Sequence, residues 1–244
     1  MNDIKLFESK EIRSTMYNGE WYFAVSDVVG ILSESLDPTS YWRKLKQREP
    51  QLVTNCHGLK MPAPNGKMYK IDCANKEGLL RIIQSIPSKK AEPFKRWLAN
   101  IGSIVLDERS NKRLAAHRKL KETEKRFHEN IKDRGVCDNG FKRIIKSGDE
   151  ELFNGTDMHE KYGIDKDSDI DDYMNTLLLH GKGFATEITN HHTTMLDLEG
   201  ENDIKSKHRD NTKEVRQTLV NAKIKPEDVL PEKDLKQLKG GTKT

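Results

Sequence analysis

Residues 38–48 hold Arg43, Lys44, Lys46 and Arg48 and no acid. Ammonium and guanidinium groups at this density suit phosphate oxygens, which accept several charge-assisted hydrogen bonds along a nucleic-acid backbone. Three more lysines, Lys60, Lys67 and Lys70, flank an Asn65-Gly66 turn signal. A basic ribbon beside a cationic helix is one way to hold a duplex backbone; a solvated hairpin edge guarded by Lys has the same composition. The other reactive residue types lack a working pattern. His191 and His192 are adjacent, so on a helix they point about 100° apart and share one ion poorly. The acidic run DKDSDIDD at 165–172 fails as a calcium loop. Ile170 stands where the sharp turn needs Gly, and Thr176 where a bidentate Glu is needed. A metal-dependent nuclease built from His180, His191, His192 and the acids of 165–172 is therefore the weakest reading, because the residues follow no ligand spacing. No catalytic residue, metal site or cofactor is expected.

The cations need a scaffold, and residues 26–47 supply one. SDVVGILSES reads as a helix with Ser26 as its N-cap and Val28, Val29 and Leu32 on its apolar face. Pro38 ends that pattern and suits the first turn of a second helix, capped by Asp37. Trp42 and Leu45 lie three apart and face a core, which leaves Arg43, Lys44 and Lys46 outward. Two helices around a tight break, the second cationic, have the form of a helix-turn-helix. A solvated basic helix face would show the same spacing.

Hairpins flank this element. Ile4, Leu6 and the run 12–17 alternate, Asn18-Gly19 turns, and WYFAV at 21–25 returns. The second hairpin spans 51–72. A helix capped by Asn75 follows, then a longer one over 88–107 containing Pro93. Residues 109–135 read as a charged helix crossing between domains, with a thin stripe of Leu114, Leu120, Phe127 and Ile131 and Gly135 as its C-cap. Beyond it come short, glycine-punctuated helices over 136–164. A long helix over 170–194, capped by Ser168-Asp169, is weakened midway by Gly181 and Gly183. Another charged helix occupies 201–224, and the GGTKT end is expected to fray.

Composition sets bounds. The chain has 244 residues, 34% apolar and 34% charged, which favours small cores with much solvated helix surface. No apolar run reaches the ~18 residues of a membrane span. MNDIKLFESK lacks the apolar stretch of a signal peptide, and Cys56, Cys73 and Cys137 form no C-x-x-C pair. A cytoplasmic protein with reduced thiols is expected. The net charge is +4. Residues 1–110 carry 17 Lys and Arg against 13 Asp and Glu, whereas the rest carries 26 of each. The excess thus sits in the half that holds the cationic helix.

The ordered segments WYFAVSDVVGILSESLDPTSYWRKLKQ, LVTNC, LKMPAPNGKMYK and LLRIIQSIPSKKAEPFKRWLA resemble the BRO N-terminal domain of phage antirepressor-like proteins and large DNA viruses. The resemblance implies DNA binding through this half. KLKETEKRFHENIKDRGV, GFKRIIKSGDEELFNG, ATEITNHHTTMLDLEG, NTKEVRQTLVNAKIKPEDVLP and EKDLKQL resemble the damage-inducible protein D family. That resemblance implies a role in the bacterial DNA-damage (SOS) response, through DNA or a recombination protein. LLLHGKGFATEITN departs from it, with two glycines where relatives place helix formers.

The expected fold class is α+β. An N-terminal BRO-type domain over 1–108, with two hairpins and a helix-turn-helix-like element, precedes a mainly helical region over 109–244. The expected function is a non-enzymatic DNA-binding regulator. Its DNA-contacting residues are Arg43, Lys44, Lys46, Arg48, Lys60, Lys67 and Lys70, and the DNA is duplex or single-stranded. The helical half is expected to mediate association: self-pairing into a homodimer, a grip on a repressor, or modulation of a recombinase filament.

Overall fold

The computed structural model describes residues 12–63 and 66–238. The chain divides into two compact units, Met1–Ser103 and Ile104–Thr244. The α+β expectation holds: a small antiparallel sheet with helices is followed by helices alone.

In the first unit, β1 (Ser14–Tyr17) and β2 (Glu20–Ala24) pair antiparallel through Asn18 and Gly19. Both turn residues have positive φ, 50° and 82°, as a two-residue hairpin turn requires. The second hairpin is β3 (Cys56–Pro62) with β4 (Met68–Ala74). The four strands lie in the order β1-β2-β4-β3. Gly66 has φ +74°, and its turn partner Asn65 lies outside the described residues, as do Ile4, Leu6 and the GGTKT end.

Helix α1 (Val25–Ser33) starts one residue before the expected cap. Ala24 still pairs with Cys73 in the sheet, so strand and helix abut without a loop. Ser26 falls inside the helix, and Asp27 accepts a forked pair of bonds from Arg13 at 2.8 and 2.6 Å. Helix α2 (Pro38–Arg48) starts as the residues dictate: Asp37 caps it by accepting from the Ser40 amide at 2.9 Å, with Pro38 in the first turn. The two helices meet closely. A Cβ on Gly30 would stand 2.8 Å from Pro38 Cγ, so only glycine permits this contact. Asn75 caps α3 (Lys76–Gln84) through the Gly78 amide at 3.0 Å. Val28, Val29, Trp42, Leu45, Ile82 and Ile83 interlock beneath these helices. Each such side chain contributes roughly 1.5–3 kcal/mol on burial. Helix α4 (Glu92–Ser110) begins four residues later than expected and accommodates Pro93 in its first turn without a break. Of its apolar residues only Phe94 is buried.

In the second unit, the expected linker helix is instead a core element. Asn111 caps α5 (Lys112–Lys132), which buries Leu120, Phe127 and Ile131 and packs along α8 (Thr176–Met195). Gly135, with φ +83°, lies beyond its end in the turn that leads onward. One continuous helix, α6 (Asp138–Leu152), and a single turn, α7 (Met158–Tyr162), replace the expected fragments. Asp169 does cap a helix, but only a 3-10 turn at Ile170–Tyr173; α8 starts afresh at Thr176, capped by Asn175. Helix α9 (Gly200–Asn221) packs against both α6 and α8, and α10 (Leu235–Leu238) closes the described chain. Gly181 and Gly183 do not interrupt α8. No helix among the described residues is long and apolar enough to cross a membrane.

Candidate nucleic-acid interface

Helix α2 is fixed to the sheet by one carboxylate. Asp72 of β4 accepts from Trp42 Nε1 at 2.7 Å and from Lys46 Nζ at 2.6 Å. The Lys46 ammonium also stands 5.5 Å from the centre of the Trp42 ring. Burial raises the Asp72 carboxyl, but the hydrogen bonds from Lys46 and Trp42 outweigh it, and the group lies below its ordinary range. Lys46 therefore does more than face solvent: it holds the helix in register over the strand.

Strand alternation places the ribbon lysines relative to this anchor. Side chains two apart share a face of a strand, so Lys70 lies on the Asp72 face. Lys60 pairs directly with Lys70, and Gly58 with Asp72, so all four positions face the same side. Lys70 lies across Gly58, where a Cβ would meet its chain at 2.6 Å. Lys60 and Lys70 thus extend, on one sheet face, from the point where α2 is anchored. Arg43 and Lys44 are exposed on α2, beside buried Trp42 and Leu45. Among the described residues Arg43, Lys44, Lys60 and Lys70 form no ion pair. Lys67 is exposed near the turn. Arg48 is drawn aside, with Glu49 at 3.3 Å and the Ser85 carbonyl at 3.4 Å.

The residues suggested for metal chemistry are not gathered. His180 and His191 are eleven residues apart on α8, about 16 Å along the axis. His192 Nδ1 is paired with Asn211 at 3.2 Å. Among the described residues no group of three His, Cys, Asp or Glu side chains could hold a metal ion. All three cysteines are free thiols.

The acids of 165–172 serve a purpose the sequence hid. Asp171 is buried, and its carboxylate receives Lys182 Nζ at 2.8 Å and Lys121 Nζ at 2.6 Å. Lys182 also reaches Asp149 at 2.8 Å and Glu124 at 3.8 Å. Burial pushes Asp149 up to about 6 against the pull of Lys182. Burial acts on Asp171 in the same sense, yet the two ammonium groups hold it down to about 2. The same carboxylates keep Lys182 firmly protonated although it is desolvated. This cage ties α5, α6 and α8 together at one point and fills with an ammonium the space a cation would need. Next to it His208 is buried and neutral, pushed down to about 4 by burial, with Thr189 Oγ1 3.0 Å from its Nδ1.

An α+β domain whose second helix is basic is thus followed by an all-helical domain. The model for the BRO family, N-terminal domain, matches residues 11–107, and that for the DinD C-terminal domain matches residues 106–238. The second match covers more than half of the chain, which therefore belongs to the DinD C-terminal domain family, carrying a BRO-type domain in front. These are phage-antirepressor and DNA-damage-inducible regulatory families. None of the curated proteins matches the chain.

Proposed function

We propose that the chain is a non-enzymatic, DNA-binding regulator of the bacterial damage response or phage antirepressor type. Residues 1–108 hold DNA, and residues 109–244 mediate protein association. The observation that carries this reading is the shared sheet face. Lys60 and Lys70 project from the side on which Asp72 anchors α2, and α2 presents Arg43 and Lys44 outward. Arg43, Lys44, Lys60, Lys67 and Lys70 are the phosphate contacts, Arg48 a peripheral one, and Lys46 chiefly sets the pose of α2.

The test is a binding titration of the full chain against salt. Each phosphate contact contributes about 0.9 to the slope of log K against log salt on duplex DNA. The triple variant R43A/K44A/K60A should flatten that slope by about 2.5–3. An unchanged slope in a folded variant rejects this placement.

A second reading, an interaction module acting on a repressor or a recombinase filament, is favoured by the nearly uncharged outer face of α8. Capture of such a partner by nuclease-treated full-length protein supports it; loss of the partner with the nucleic acid counts against it.

A further inference from the structure

Helix α8 is anomalous for this chain. Of its 20 residues only Lys182 and Glu187 are charged, and Lys182 is buried, in a chain that is 34% charged. The side away from its own bundle carries Leu177, Gly181, Phe184, Ile188, His191 and Met195. Their alternating spacing of four and three is that of a helix-pairing seam. Phe184 is 63% exposed, Leu177 42% and Met195 65%. Charged residues cover the solvent faces of α5 and α9, so the bare stripe on α8 is not the surface habit of this protein.

Phe184 stands between two grooves. One, of about 460 Å³, runs between α5 and α8 past Leu120, His180 and Gly183. The other, of about 260 Å³, lies between α8 and α9 past Gly181, Val215 and Leu219. The glycines leave these grooves open: a Cβ on Gly181 or Gly183 would come no nearer than 3.7 Å to any side chain of the neighbouring helices.

We infer that the outer face of α8 is a self-association surface whose occupant is the α8 of a second copy, packed antiparallel about a two-fold axis near 181–184. A projecting ring and the groove that fits it lie three residues apart on the same element. A two-fold axis between them lets each Phe184 enter the partner's groove beside Gly181, so one patch satisfies both molecules. An unrelated partner would have to supply both the ring and the groove. The uncharged stripe also lets two like copies meet without setting like charges against each other. A single helix seam about 30 Å long is smaller than a standard stable interface, so the pairing is weak and concentration-dependent. This assignment specifies the association role proposed for the rear half and does not depend on DNA contact.

The experiment is sedimentation of the full chain without DNA, from about 1 to 100 µM. Wild type should shift from monomer to dimer across that range. F184E should remain monomeric, or dimerise at least about tenfold more weakly, with an unchanged thermal melt. L36E, at a fully exposed leucine of the first unit, should match wild type. Should F184E fail to fold, L177E gives the same reading. A wild type that stays monomeric at the highest concentration overturns the inference, as does a folded F184E that dimerises normally. A monomer that still binds DNA with the expected salt slope removes this surface alone and leaves the front-domain reading standing.

Discussion

Trp42 and Asp72 are thirty positions apart, and the indole N–H of one is satisfied by the carboxylate of the other at 2.7 Å. The pair converts a buried ring with a polar edge into a fixed joint between α2 and β4. Asp72→Ala should leave Trp42 Nε1 and Lys46 without their partner and cost about 1–3 kcal/mol in urea unfolding. Asp72→Asn, which can still accept from the indole, should cost less. Equal losses would show that the hydrogen bond to Trp42 contributes nothing.

Acid should weaken the helical unit through His208. Its folded-state value of about 4 lies below the ordinary 6.5, so the folded protein resists a proton that the unfolded chain accepts. Stability is then lost as pH falls from about 6.5 towards 4, by roughly 2–4 kcal/mol. Asp149 acts in the opposite sense. Raised to about 6 from 3.8, it penalises the folded state as pH climbs through that window, and part of the His208 loss is returned there. His208→Asn should flatten the acid limb of a stability–pH curve, and Asp149→Asn should steepen it. Curves unmoved by either change would contradict both assignments.

Glycines inside helices divide by their surroundings. A Cβ on Gly148 of α6 would lie 2.3 Å from His208 Nε2, on a ring that is itself buried. Gly102 of α4 has nothing within 4 Å. Gly148→Ala should therefore destabilise by about 1–3 kcal/mol through overpacking. Gly102→Ala should stabilise by about 0.5–1 kcal/mol, since alanine restricts the unfolded chain and favours helix. Thermal melts of the two variants decide the matter, and the same sign for both would count against it.

Local chemistry made much of the fold legible. Asp37-Pro38, Asn75 and Asn18-Gly19 act on their immediate neighbours, and each does in space what its type dictates. Trp42 and Leu45 turned inward as their spacing requires. Helix α1 starts ahead of Ser26 because Ala24 is committed to the sheet through a partner 49 positions away. The charge cage was illegible for the same reason. Lys182 meets Asp171 eleven positions off and Asp149 thirty-three positions off, and nothing in DKDSDIDD marks two of its acids for burial. Even Lys46 departs from the outward cations its helical spacing implies, because its partner lies on a strand 26 positions away.

Lys182 also bears on how two copies of this protein can meet. Withdrawing α8 from its neighbours would part Lys182 from all three of its carboxylates and Asp149 from its ammonium, a cost that apolar contacts offered by another molecule do not offset. Opening the bundle to admit a helix that cannot rebuild the cage is thereby costly, and such companions settle on the outside of an intact bundle.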